Sequence, residues 1–184
     1  MSKCDGRTVV WREKRERYDP GCVVNRSSNS RNGIMFWGCI GFHGVGELIE
    51  VEQTFNSINY VDMLQEGLPQ SIENSFGDRR QNFIFQQDNA PCHSSRYTQT
   101  WIEAQNFQTL SWPSNSPDMN IIETVWGHIG RKLREDPPLT VTELRHKVHR
   151  IWNSLSAEYL QSLYAQLQTR VQTLIDKRGY PTKF

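Results

Sequence analysis

Residues Ile34-Met35-Phe36-Trp37-Gly38-Cys39-Ile40 form an uninterrupted apolar run, a pattern that suits a strand covered on both faces. After a turn from Gly41 to Gly46, Glu47-Leu48-Ile49-Glu50-Val51 reads as a shorter strand. The period then becomes helical: Val61, Leu64, Leu68 and Ile72 recur by threes and fours from a start near Ser57, with Pro69 expected to kink the helix. Phe83-Ile84-Phe85-Gln86-Gln87-Asp88 is the next expected buried strand, stopped by Pro91, which has no N–H to give a ladder. Ser94 or Ser95 can cap a helix whose Tyr97, Trp101 and Ala104 share a face. Phe107 to Trp112 alternates as a strand, and a long helix follows with Met119, Ile122, Trp126, Ile129 and Leu133 in step.

Two more helices are expected to finish the chain. Thr140-Val141-Thr142-Glu143 has the form of a capping box and leads into a stripe of Leu144, Val148, Ile151 and Leu155. Leu160, Leu163, Leu167, Val171 and Leu174 make a second stripe, closed by Gly179 and Pro181. At the other end, Cys4-Asp5-Gly6-Arg7 signals a hairpin turn and Thr8-Val9-Val10-Trp11 its outgoing strand. Only Met1-Ser2-Lys3 precede it, too few for an incoming strand of about 5 residues. Arg12 to Asn32 reads as loop. This order predicts an α/β fold, a mixed sheet flanked by helices. Crossovers around Asp88 imply parallel strands there, and sites gather at the carboxyl ends of such strands.

Composition narrows this picture only slightly. A chain of 184 residues with 36% hydrophobic content and six tryptophans can build one core. With 21 basic and 20 acidic residues it carries no global field for a polyanion, so contact with nucleic acid would fall to local patches. Cys4, Cys22, Cys39 and Cys92 make no C-x-x-C pair, which points away from a zinc module or a disulfide framework. Neither a signal peptide nor an apolar run of about 18 residues is found, so the expectation is an intracellular chain that does not span a membrane.

Candidate chemistry lies in two acidic positions separated by thirty-four residues, Asp88 at the end of an apolar run and Glu123 near the start of a helix. Carboxylates so placed can share divalent cations. Taken alone, Asp88 could equally be a turn residue, and Asp118 reads as a helix cap. Gly127 and Gly130 on the flank of Glu123 either admit a substrate or let helix and sheet pack closely. His93 could contact a phosphate, relay a proton or simply lie on the surface. Trp112 and Trp126 could stack on bases but sit on apolar stripes, as core residues do. Of the basic groups, Arg131, Lys132 and Arg134 are placed to follow a phosphate backbone.

Gln86-Gln87-Asp88-Asn89-Ala90-Pro91-Cys92-His93, then Trp112-Pro113, then Ser116-Pro117-Asp118-Met119-Asn120-Ile121-Ile122-Glu123-Thr124-Val125-Trp126-Gly127 resemble the catalytic core of Tc/mariner superfamily transposases. Asp5-Gly6-Arg7, Val10-Trp11-Arg12, the run from Met35 to Ile40 and Gly179-Tyr180-Pro181-Thr182-Lys183 fit the same family, so the resemblance covers nearly the whole chain. It implies an RNase H-like fold, with residues 1–136 as the catalytic core and 137–184 as a C-terminal helical extension of the same domain. It also implies two aspartates and a third acid holding two Mg2+ (or Mn2+) ions, with Asp88 as the second aspartate and Glu123 as the third acid. The implied reaction is DNA strand cleavage and strand transfer in the nucleus. Transposon-end and target DNA would be the partners, with a homodimer possible, and no membrane or small-molecule substrate is implied.

The family's first aspartate belongs to a first, central strand ahead of the hairpin, and its helix-turn-helix modules lie further upstream. This sequence starts at Met1-Ser2-Lys3, and Asp5 matches the turn residue instead. The expectation is therefore an N-terminally truncated transposase with little or no catalysis of its own. The alternative is a non-catalytic relic that binds DNA or a partner transposase.

Overall fold

A computed structural model describes residues 34–51, 55–76, 83–106, 108–114 and 116–178. The expected first hairpin, the loop up to Asn32 and the closing Gly179 and Pro181 lie outside these residues. In chain order the described elements are β1 (Met35–Ile40), β2 (Val45–Val51), α1 (Ser57–Phe76), β3 (Ile84–Phe85), α2 (Pro91–Ser94), α3 (Arg96–Ala104), β4 (Gln108–Thr109), α4 (Ile121–Glu135), α5 (Val141–Asn153), α6 (Ala157–Ala165) and α7 (Leu167–Asp176).

The apolar run becomes β1, paired antiparallel with β2, and the hairpin is covered on both faces as its lack of alternation requires. Met35, Trp37, Ile49 and Val51 pack with Tyr60, Met63, Leu64 and Leu68 of α1. Phe36, Ile40, Val45 and Leu48 face the other way, onto Val125 and Ile129 of α4, Val148 and Trp152 of α5, and Leu160 and Leu163 of α6. Helices on both sides of residue 136 thus share one core. β2 is longer than expected, starting at Val45, because the turn occupies only the residues between Ile40 and Val45 and is closed by the Gly41 N–H on the Gly44 carbonyl at 2.8 Å.

The register slips by one between the pairs Gly38–Leu48 and Ile40–Val45, a bulge that turns main-chain groups out of the ladder. Both helical layers answer it. The Trp152 Nε1–H donates to the Gly46 carbonyl at 3.0 Å, and the Glu47 N–H donates to Ser71 Oγ at 2.8 Å. A Cβ on Gly46 would stand 2.5 Å from both Cys39 Sγ and Ser71 Oγ, so only glycine lets the strand and α1 approach this closely.

β3 and β4 pair in parallel, as the crossover between them demands, but each is two residues long. The long buried strand expected from Phe83 to Asp88 is not observed: Ile84 is 55% exposed, the ladder stops at Phe85, and Gln87 turns its side chain to the Tyr60 hydroxyl and the His93 carbonyl. Pro91 starts the short helix α2, where its missing N–H is no loss. In α3 the buried face runs through Thr98 and Ile102, not Tyr97, which is 52% exposed. Ser95 caps α3, accepting from the Thr98 N–H at 3.1 Å.

Asp118 does not cap α4. Two tight turns, from the Met119 N–H to the Ser116 carbonyl and from the Asn120 N–H to the Pro117 carbonyl, consume the residues before the helix, and Asn120 takes the N-cap position. α5 is capped by Thr140, whose hydroxyl accepts from the Glu143 N–H at 3.1 Å, while Glu143 reaches back to the Leu139 N–H at 2.7 Å. The single helix expected from Leu160 to Leu174 is two, broken at Gln166, where the Gln166 N–H turns to the Leu163 carbonyl. Among the described residues no helix is long and apolar enough to cross a membrane.

Candidate metal and nucleic-acid site

The Leu110 N–H donates to the Phe85 carbonyl at 3.0 Å, extending the β3–β4 contact to its carboxyl end. Just beyond, Asn89 Nδ2 donates to the Trp112 carbonyl at 2.8 Å and ties the two exit loops together. Asp88 lies on the first loop, and the second leads into α4 and Glu123. Both acids therefore follow the carboxyl ends of adjacent parallel strands, where an open α/β sheet places its sites.

The Asp88 side chain is about a third exposed and its Oδ1 is held from two sides. His93 Nδ1 approaches it at 2.7 Å and the Ala90 N–H donates at 3.0 Å. An ionised carboxylate only accepts, so His93 carries a proton on Nδ1. These bonds, with that from His93 foremost, outweigh partial burial and hold the Asp88 carboxyl well below its usual range, at about 2. Asp88 is thus a fixed anion at neutral pH.

His93 is not plain surface. Its side chain is only 15% exposed and its ring lies on that of Tyr60, centroids 4.2 Å apart. Its carbonyl accepts from Gln99 Nε2 at 2.7 Å and from Gln87 Nε2 at 3.3 Å, and Gln87 Oε1 in turn accepts from the Tyr60 hydroxyl at 2.6 Å. Burial raises the Tyr60 pKa, so its hydroxyl stays protonated as a donor. Tyr60 and Gln87 were not singled out in the sequence. The available signal was a tyrosine on the buried stripe of α1, whose hydroxyl must find a partner.

Removing the His93 ring is expected to let the Asp88 carboxyl titrate nearer the ordinary range. Because the folded value lies below the ordinary one of an aspartate, about 3.9, the stability it contributes is present above that ordinary value and fades as pH falls toward 2. Carbon-13 NMR of the Asp88 carboxyl should show the upward move in His93→Ala. The stability gap between the two proteins should narrow at the acid end.

Glu123 sits in the first turn of α4, where the helix dipole favours an anion. It is half-buried, and among the described residues its carboxylate has no hydrogen-bond or ion-pair partner. Among the described residues a Cβ on Gly127, one turn further on, would meet only Arg131 Nη1 at 3.8 Å, so none of them packs closely enough to require that glycine. Trp126 belongs to the core, stacked on Trp152 with centroids 5.3 Å apart. Arg131, Lys132 and Arg134 are all exposed. Lys132 is paired with Glu135 at 2.9 Å, whereas Arg131 and Arg134 make no ion pair among the described residues.

The donor set suits a hard cation. Two half-buried carboxylates, one held ionised and the other without a partner among the described residues, match the one or two protein carboxylates that Mg2+ ordinarily takes while keeping its waters. Among the described residues no three His, Cys, Asp or Glu side chains gather as a metal cluster.

A family model described as DDE superfamily endonuclease matches residues 3–145. The Transposable element Tcb2 transposase of Caenorhabditis briggsae is 27% identical over 180 residues, which are 98% of this chain and 65% of that protein. The Transposable element Tc1 transposase of Caenorhabditis elegans is 27% identical over 181 residues, again 98% of this chain and 65% of the relative. The chain thus spans just under two thirds of the length of these relatives. Among solved structures, the Mos1 transposase catalytic domain with Raltegravir and Mg superposes with a TM-score of 0.73 at 18% identity, over 82% of this chain and 77% of that one. The Mos1 mariner paired end complex with Mn gives 0.73 at 20% identity, over 94% of this chain and 52% of that one. The fold is therefore the mixed α/β, RNase H-like fold expected from the sequence. The chain belongs to the DDE superfamily endonucleases, with Tc/mariner transposases as its homologues.

Proposed function

We propose that this chain serves DNA transposition, with Asp88 and Glu123 as carboxylates for Mg2+ or Mn2+ at the cleavage site. The observation that carries the reading is the placement, beyond the carboxyl ends of β3 and β4, of one carboxylate held by His93 and the Ala90 N–H and of another that has no partner among the described residues. Bound there, the metal would supply Lewis-acid activation of a water or DNA 3′-hydroxyl and stabilise the leaving oxygen. His93 would orient Asp88, and Tyr60 and Gln87 would hold His93. Arg131 and Arg134 would neutralise phosphates of DNA approaching along α4.

The partners proposed are transposon-end and target DNA and a second copy of the chain, in the nucleus where chromosomal DNA lies. The activity proposed for these residues is metal binding and DNA binding at this site.

Fluorescence anisotropy on a labelled duplex tests this reading. Binding is expected to weaken as salt rises, and Arg131→Ala and Arg134→Ala should each lower the salt slope by about 1. Mn2+ is expected to strengthen binding in the unaltered chain but not in Asp88→Asn. Binding that ignores both salt and Mn2+ would overturn the proposal.

A further inference from the structure

The most deeply buried residue of α7 is a cation: Arg170 is 2% exposed on a helix whose neighbouring Val171 is 42% exposed. Burying a guanidinium is unfavourable unless its donors are used. Its Nη1 donates to the Asp118 carbonyl at 3.0 Å and its Nη2 to Thr124 Oγ1 at 2.8 Å. These acceptors bracket Glu123: Asp118 lies in the turn that leads into α4, and Thr124 directly follows the glutamate. A planar fork that grips both sets the first turn of α4 against α7 more rigidly than an apolar side chain could.

We propose that Arg170 is a positioning residue, fixing the turn that presents Glu123 to the metal, so that the C-terminal helix α7 controls the geometry of the site. This inference rests on the reading of Glu123 as a metal ligand. It does not make Arg170 catalytic, since its contacts are with Asp118 and Thr124.

Isothermal titration of Mn2+ into the full 184-residue chain provides the test. Arg170→Met and Thr124→Val are each expected to lower Mn2+ affinity about 10-fold, the scale for losing an outer-shell partner. Arg170→Lys, able to reach one acceptor, should recover part of the loss. Leu163→Ala, which removes a buried side chain of α6, should lower the melting temperature and leave Mn2+ affinity unchanged. Thr124→Val keeps the shape of the side chain, so it decides the matter even if Arg170→Met does not fold. Unchanged affinity in Thr124→Val, together with a loss in Glu123→Gln, would overturn the role of Arg170 and leave the metal reading standing. Unchanged affinity in Glu123→Gln would overturn the metal reading and this inference with it.

Discussion

Glu123→Gln and Asp88→Asn are each expected to lower the Mn2+ affinity of the chain by on the order of 100-fold, about 2.7 kcal/mol. Each exchange keeps the shape of the side chain and removes the charge and one oxygen donor. The effect should exceed that of losing an outer-shell partner, because the altered group is a ligand itself. The two variants should differ in what else they disturb. Glu123 has no partner among the described residues, so its replacement removes only a favourable interaction with the α4 dipole, about 0.3–1 kcal/mol. Asp88 accepts from His93 and Ala90, and an asparagine can keep one oxygen there but meets the His93 proton without its charge. Asp88→Asn should therefore lose metal affinity together with some stability at neutral pH, a loss that fades toward the acid end, whereas Glu123→Gln should lose metal affinity almost alone. Calorimetric Mn2+ titration alongside thermal melts separates the two.

The largest effect on folding is expected at Trp152. It is 1% exposed, stacks on Trp126, and gives its only side-chain donor to the bulge carbonyl of Gly46. A Cβ on Gly38 would lie 2.7 Å from its ring, so strand and tryptophan are in direct contact. Trp152→Ala should cost about 3–5 kcal/mol through the cavity, and it also strands the Gly46 carbonyl. That loss is comparable to the whole stability of many domains, roughly 5–15 kcal/mol, and should lower the melting temperature by roughly 6–20 °C. Trp152→Phe keeps most of the ring and loses the donor, so it should fall between the two, near 1–3 kcal/mol.

What the sequence made legible was governed by periodicity and by motif. The unbroken run of β1 correctly announced two covered faces, and α1 and α5 start where the sequence places them, while α4 starts at Ile121, two residues past Met119, the first position of its stripe. Periodicity failed where a polar residue took a buried place. The stripe through Leu167 and Val171 ran on unbroken past Gln166, so nothing in it marked the end of α6, and Arg170, not Val171, is the residue that α7 buries. Trp152 sits beside the stripe of Ile151 and Leu155, and only the bulge in β2 gives its N–H a partner. The Asp88 strand was read as too long because Gln86 and Gln87 continue an apolar stretch in sequence, yet Gln87 turns to Tyr60.

The site followed a similar division. Asp88, Glu123 and His93 stand out in the sequence as candidates through residue type, spacing and the motifs that carry the resemblance. Their supports do not, since Tyr60 lies one helix away and Arg170 lies forty-six residues beyond its acceptor Thr124. The ring packing of His93 and the burial of Arg170 are long-range facts with no local signature.

The central claim is that Asp88 and Glu123 hold one divalent site between them. A crystal of the 184-residue chain soaked in Mn2+ and measured for anomalous scattering tests it most directly. An anomalous peak is expected with carboxylate oxygens of both Asp88 and Glu123 within about 2.1 Å, the distance for a hard octahedral cation. A Mn2+ ion bound elsewhere, with both carboxylates left uncoordinated, would contradict it.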